Sequence, residues 1–227
     1  MPAFRTIGVI GGMGPAATAD FLARLVAGVN AASDADHPRV LVDSNPHVPD
    51  RNAAALHGAA SPGPVLAAMA RGLAAQGAQI LAMPCNAAHG WADAITAAPF
   101  VSMIDAALAE AMMHRPRCIG VLGVGATLAL DIYGRASPVP VVAGDVDVVQ
   151  RAVNAIKAGD RSDAVRAALA DEAARLAAAG ADVVIAACTE VPLLLRQNDV
   201  AVPLIDSTAA LARATLAAAA LPGKMPT

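Results

Sequence analysis

Short apolar runs alternate along the whole chain with stretches in which apolar residues recur every third or fourth position. Runs bounded by Gly, Pro, Asn and Asp read as strands buried on both faces, and the periodic stretches read as amphipathic helices. The pattern predicts strands at 4–10, 40–43, 79–84, 100–104, 118–123, 139–142, 182–187 and 202–205. Helices are predicted at 15–32, 62–76, 88–97, 126–135, 146–158, 162–179 and 207–221, with 106–114 leading from one half to the other. A Gly-rich turn, 11–15, follows the first strand, and a long polar loop, 44–52, follows the second. Strict alternation of this kind specifies doubly wound, parallel-rich α/β sheets.

One stretch occurs twice. Residues 73–86 read LAAQGAQILAMPCN and residues 176–189 read LAAAGADVVIAACT, about 103 residues further on. Each copy ends a helix at a glycine, Gly77 or Gly180, runs on as an apolar strand and stops at a cysteine, Cys85 or Cys188. Gly just past a helix closes it in the left-handed conformation that other residues adopt only at a cost. The likeness extends to IGVIG at 7–11 against IGVLG at 119–123, and to VSMIDA at 101–106 against VPLIDS at 202–207. The expected architecture is two pseudo-symmetric α/β domains. The first is 1–104 with a returning segment, 206–227, and the second is 105–205. Two such halves facing each other would set two thiols across one cleft, at the carboxyl ends of the strands where open α/β sheets bind ligands.

Composition narrows the chemistry. The 227 residues are 56% hydrophobic but only 2% aromatic, so the core must be Ala, Val, Leu and Ile. A net charge of −3 leaves no basic footprint, and one Trp, one Tyr and three Phe offer little to stack on bases, which argues against nucleic-acid binding. No uninterrupted apolar run reaches the roughly 18–20 residues of a membrane span. Arg5, the apolar stretch after it and Ala17-Thr18-Ala19 have the outline of a leader, but Gly8, Gly11, Gly12, Gly14 and Pro15 interrupt it. Three cysteines, an odd number in a long chain, suit reduced thiols in the cytoplasm better than a disulfide framework. The two lysines are Lys157, ahead of a Gly-Asp turn, and Lys224, in the Pro/Gly tail 222–227; neither placement suits the Schiff base of a pyridoxal phosphate enzyme. No Cys or His pairs stand at metal-ligand spacing. The early glycines do not follow the G-x-G-x-x-G spacing of a dinucleotide site.

Cys85 and Cys188 are each expected at a strand-to-helix junction, where backbone N–H groups and the helix dipole favour a thiolate or a bound carboxylate. A lone cysteine in such a place is more often a small buried hydrophobe. Two in matching positions suit catalysis, while Cys118, which has no counterpart thiol, reads as structural. Opposed thiols fit inversion of a carbon centre: one removes a proton from one face, and the other returns a proton to the opposite face. Positioned acid–base groups contribute roughly 10²–10⁴-fold each, and the rest of the barrier must fall by preorganised electrostatics around the developing enediolate.

The segments IGVIGGMGPAATADF, PDRN, MPCNAAH, GVLGVGAT and CTEVPLLL together resemble the aspartate/glutamate racemases, the cofactor-independent amino-acid racemases, over nearly the whole length and in the same order. The resemblance implies two α/β domains with the site between them, a homodimer, no cofactor or metal, and Cys85 and Cys188 as the paired acid and base. It implies that Arg51, in PDRN, binds the distal carboxylate of an acidic amino acid, which a guanidinium fork fits bidentately. Asn86 and Thr189 would hold the α-carboxylate beside each thiol, Met13 would line the pocket with its backbone, and Thr127 would touch substrate. Lys157 would lie near the distal carboxylate, and Glu190 would polarise the site. Each has a plainer reading: Asn86, Thr127 and Glu190 as caps, Lys157 and Arg51 as solvated surface groups, Met13 as part of a turn. His89 falls in the same motif, with a satisfied packing histidine as the favoured reading. Ala87 stands where relatives usually carry Thr, Ala187 where Gly is usual, and Val124 and Ala126 where Thr and Gly are common. Those departures bear on substrate choice more than on reaction type. The expected activity is racemisation of aspartate first and glutamate second. The rivals are a one-base relative such as a decarboxylase, a broad-specificity or hydantoin racemase, a redox pair, and a non-catalytic binder of acidic amino acids.

Overall fold

Helices α3 (Gly63–Ala75) and α7 (Asp163–Ala178) end in the same way. Gly77 and Gly180 sit at φ 101° and 99°, and the amides beyond them turn back: Ala78 N–H to Leu73 O at 3.0 Å, Ala181 N–H to Leu176 O at 3.1 Å. These are paired helix stops of the Schellman kind. Each delivers the chain into a central strand, β3 (Ile80–Ala82) or β7 (Val183–Ala187). The computed structural model describes residues 4–221, so the tail 222–227 with Lys224 lies outside the described residues.

β3 pairs with β1 (Ile7–Gly11) and β4 (Phe100–Val101), and β1 pairs with β2 (Val40–Ser44), giving a parallel sheet in the order β2-β1-β3-β4. β7 pairs likewise with β5 (Ile119–Gly123) and β8 (Leu204–Asp206), and β5 with β6 (Val141–Ala143), giving the order β6-β5-β7-β8. The registers coincide: Ile7 lies between Val40 and Ile80, and Ile119 between Val141 and Val183. Gly8 and Gly120 hold equivalent places for the same reason. A Cβ on Gly8 would come within 2.7 Å of Leu81 and 3.3 Å of Leu73, and one on Gly120 within 3.1 Å of Leu176 and Ala181. Only a bare backbone lets α3 and α7 lie this close to their sheets. The predicted duplication is therefore present in the strand order and in the packing.

Three expectations shift. The polar loop predicted at 44–52 ends early. Asp50 accepts Ala53 N–H at 2.7 Å and caps helix α2 (Arg51–His57), so Arg51 opens a helix rather than sitting in a loop. The strand predicted at 100–104 stops at Val101, because Ser102 caps helix α4 (Met103–Met112) by accepting Asp105 N–H. The sequence match of VSMIDA with VPLIDS is out of register. In the fold Ser102 occupies the place of Asp206, and Met103 that of Ser207, since Leu81 pairs with Phe100 as Val184 pairs with Leu204.

The remaining helices are α1 (Pro15–Ala27), α5 (Gly125–Ala129), α6 (Val146–Lys157) and α8 (Ser207–Ala219). Helix α4, which leaves the first sheet, packs on the second: Ile104, Leu108 and Ala111 meet Ile119, Val121 and Ile185. Helix α8, which leaves the second, packs on the first: Leu211 and Leu216 join Ile7, Val9, Phe21 and Leu25. Arg24 of α1 pairs with Asp20 at 2.6 Å and with Asp206, the α8 cap, at 2.8 Å. A third cluster crosses the boundary, from Ile10, Leu66 and Leu81 to Leu122, Val149 and Val184. No helix among the described residues is long and apolar enough to cross a membrane.

Candidate active site

The carboxyl ends of both sheets open on one partly enclosed cleft. The first half lines it with Met13, Asp50, Arg51, Asn52, Cys85, Asn86 and Ala87, and the second with Val124, Gln150, Lys157, Ala187, Cys188, Thr189 and Glu190. Ligand clefts in doubly wound folds form beside the strands from which the chain crosses in opposite directions. β1 with β3 and β5 with β7 are those strands, so the two thiols face the same space. All three cysteines are free, and Cys85 and Cys188 are both buried.

The loop that carries Cys85 is fixed from both sides. His89 Nε2 accepts Met103 N–H at 3.0 Å, so the ring proton is on Nδ1, which donates to the Cys85 carbonyl at 2.8 Å. Both ring nitrogens are satisfied in the neutral form, and burial pushes the His89 pKa down to about 4. This is the packing role the sequence favoured for His89. The Asn86 side chain reaches across to the second half. Its Oδ1 accepts from Tyr133 OH at 2.6 Å, and its Nδ2 donates to Ser207 Oγ at 3.1 Å, which in turn donates to Ala186 O at 2.7 Å. Asn86 makes no helix-capping bond. The second N–H of its amide has no partner among the described residues, and Asn86 lines the cleft.

The loop that carries Cys188 is held by charge. Cys188 Sγ donates to Glu190 Oε2 at 3.1 Å, and Thr189 Oγ1 donates to the same oxygen at 3.1 Å. Lys157 Nζ lies 3.8 Å from the other oxygen, Oε1. Glu190 makes no capping bond either; its carboxylate is turned to the thiol. Short 3-10 turns, not α-helices, follow both cysteines, so the predicted helix-dipole support for a thiolate is lacking. Burial raises both thiols instead. Arg51 and the Ala88 N–H moderate the shift at Cys85, whereas Glu190 adds to it at Cys188, which is held well above the ordinary range.

Arg51 is half-buried, and its Nη1 donates to the carbonyls of Val48 and Pro49 at 3.2 Å each. The rest of its fork has no protein partner among the described residues and faces the cleft. Three lining residues were not singled out from the sequence: Asp50, the α2 cap, and Asn52 and Gln150, which bond across the boundary. Asn52 accepts Ala126 N–H at 2.8 Å, capping α5 from the other half, and donates to Gln150 Oε1 at 2.8 Å. The partners of Asn52 and Gln150 lie too far along the chain for any local signal. Thr127 is the one proposed contact residue outside the cleft lining. It is buried in the first turn of α5, its Oγ1 unpartnered, beside a separate small pocket with Leu128, Asp131 and Tyr133.

The Asp/Glu/Hydantoin racemase family matches residues 10–215. The chain belongs to this family. It is 27% identical over 239 aligned residues to the broad specificity amino-acid racemase RacX of Bacillus subtilis (strain 168), covering 92% of this chain and 96% of that one. Among solved structures it is similar to an aspartate racemase of Picrophilus torridus, with TM-score 0.84, 28% identity and 94% of each chain covered. It also shares the fold of an aspartate racemase homologue from Pyrococcus horikoshii OT3, with TM-score 0.75, 22% identity and 94% and 98% covered. This racemase thus has one thiol per half at equivalent strand ends, two cations in the cleft and a carboxylate against one thiol. Its cleft is apolar at Ala87, Val124 and Ala187.

Proposed function

We propose that the protein racemises an acidic amino acid, aspartate first and glutamate second, without a cofactor, by proton transfer between Cys85 and Cys188. The supporting observation is that these two thiols, brought by equivalent strands of the two sheets, line one small cleft. One thiolate takes the α-proton, and the electron pair passes into the α-carboxylate as an enediolate. The other thiol gives its proton to the opposite face, so the centre inverts. The second N–H of Asn86 and backbone amides beside each cysteine would meet the developing charge, with Thr189 joining them if its hydroxyl turns from Glu190 to the substrate. Arg51, already oriented by two carbonyls, takes the distal carboxylate bidentately, with Lys157 as a second cation.

A chiral assay on L- and D-amino acids in deuterium oxide tests this reading. The expected result is inversion of aspartate with α-deuterium in the product. Inversion without label, or no inversion of any acidic amino acid, ends it. A second reading, broad specificity, is favoured by the apolar lining at Ala87, Val124 and Ala187 and by Glu190, which offsets part of the cationic charge. In the same assay it appears as comparable turnover of neutral and acidic amino acids.

A further inference from the structure

We infer that the two thiols are unequal at rest: Cys188 keeps its proton against the Glu190 carboxylate, while Cys85, facing Arg51, is the thiol that is readily given up as thiolate. The inference rests on the two-thiol reading above and makes Glu190 a positioning residue, the group that sets which thiol is acid and which is base.

The geometry carries it. Cys188 Sγ lies 3.1 Å from Glu190 Oε2, and only a protonated sulfur can donate there. A thiolate would place two anions in contact where both groups are buried and charge repulsion is weakly screened. Thr189 donates to the same oxygen, and Lys157 stands at 3.8 Å from Oε1, so the lysine pairs with the carboxylate directly and eases the sulfur only in part. In the other half the residue two beyond the cysteine is Ala87, which offers no such partner. Burial does not separate the pair, since Cys85 is 5% and Cys188 8% exposed. The charged and titratable groups that bear on them are Asp50 and Arg51 from α2, Lys157 from α6, Tyr133 beyond α5, and Glu190. The direction of both thiol shifts agrees: each is raised by burial, Cys85 is eased mainly by Arg51, Glu190 raises both but bonds only Cys188, and Lys157 eases both.

The free protein is therefore poised for the enantiomer whose α-hydrogen faces Cys85. That proton moves to the Cys85 sulfur, and the Cα electron pair is held as the enediolate. The Cys188 S–H bond then breaks to protonate the opposite face. Cys188 is left as thiolate beside Glu190 and Cys85 as thiol; Cys85 gives its proton up to water and Cys188 takes one from water before the next turnover in the same direction.

Site-resolved alkylation of the ligand-free protein with iodoacetamide, read by peptide mass spectrometry across pH 7–9, tests the inference without any substrate. Reactivity follows the thiolate fraction, so Cys85 is expected to react about tenfold or more faster than Cys188. Glu190→Gln is expected to raise the Cys188 rate about tenfold and move its pH midpoint down, with Cys85 changed by less than about twofold. Should Glu190→Gln fail to fold, Glu190→Asp, which draws the carboxylate back by one methylene, is expected to raise the Cys188 rate by a smaller factor. Equal rates in the wild-type protein, or a Cys188 rate indifferent to residue 190, overturn the inference. The chiral assay fails or succeeds separately: inversion with equally reactive thiols sinks only the inequality, and unequal thiols without inversion sink the racemase reading.

Discussion

The two halves of the molecule agree wherever backbone is concerned and part company within three residues of each thiol. Strand order, register, the helix-stopping glycines and the close-packed Gly8 and Gly120 are common to both. Beyond the strands, the first half continues Cys85-Asn86-Ala87 and the second Cys188-Thr189-Glu190. The first loop is stapled by neutral hydrogen bonds through His89, Asn86, Tyr133 and Ser207. The second is organised by one buried carboxylate and one half-exposed lysine. Duplication places a sulfur, and divergence in a handful of side chains decides how that sulfur holds its proton.

The comparison breaks most visibly at the sulfurs. Cys85→Ser and Cys188→Ser are each expected to lower racemisation by about 10²–10⁴-fold with the fold intact by circular dichroism. Turnover within about tenfold of wild type in either variant would show that the halves do not share the work. The next difference lies in the staples. His89 has no counterpart in the second half, where Pro192 stands. In the unfolded chain the ring takes up a proton near pH 6.5; in the fold it does so only near pH 4. Between these values the unfolded state binds more protons, so stability is full above pH 6.5 and falls as pH drops towards 4, by about 3 kcal/mol. Denaturant midpoints at pH 7 and pH 5 read this directly, and identical midpoints would contradict a neutral buried His89.

The cations supply a finer contrast. Arg51→Ala removes a pre-oriented fork and is expected to cost acidic substrates about 10–100-fold in kcat/KM, with alanine and serine little affected. Lys157→Ala removes a half-exposed ammonium already engaged with Glu190 and is expected to cost less than about tenfold. Equal losses on acidic and neutral substrates would show that Arg51 does not read a distal carboxylate. The smallest effect tests the sameness itself. Gly77→Ala and Gly180→Ala meet no neighbour, so each pays only for an unfavourable φ, about 1 kcal/mol. A measured gap of more than about 1 kcal/mol between them would mean that the two stops are not equivalent.

Much of this was legible in the sequence, because Gly and Cys at fixed spacing mark backbone requirements that alanine-rich helices do not blur. The last strand of each half was harder. β4 and β8 are too short for alternation to fix register, and two similar apolar-Asp strings matched at the wrong offset. Helix α2 left a signal that was there to be used: Asp50 as cap and Gly58 at φ 64° as stop. What no local pattern held was the cross-boundary bonding, Asn52 to Ala126 and Gln150, and Tyr133 to Asn86. Those partners meet only once both sheets exist. Thr127 was drawn into the site by its motif, yet the first turn of α5 buries it behind the lining.

The exchange of α4 and α8 has a consequence for how the chain matures. The last helix supplies one face of the first sheet, and Phe4 bridges Ala220 while Arg5 N–H bonds Ala219 O. A nascent chain therefore emerges with Ile7, Val9 and Phe21 lacking their cover, however long ago β1 was synthesised. The first sheet stays uncovered until α8 has been made and has left the ribosome, whereas the second has α4 at hand, so that interval is when β1 is most open to mispairing with its neighbours.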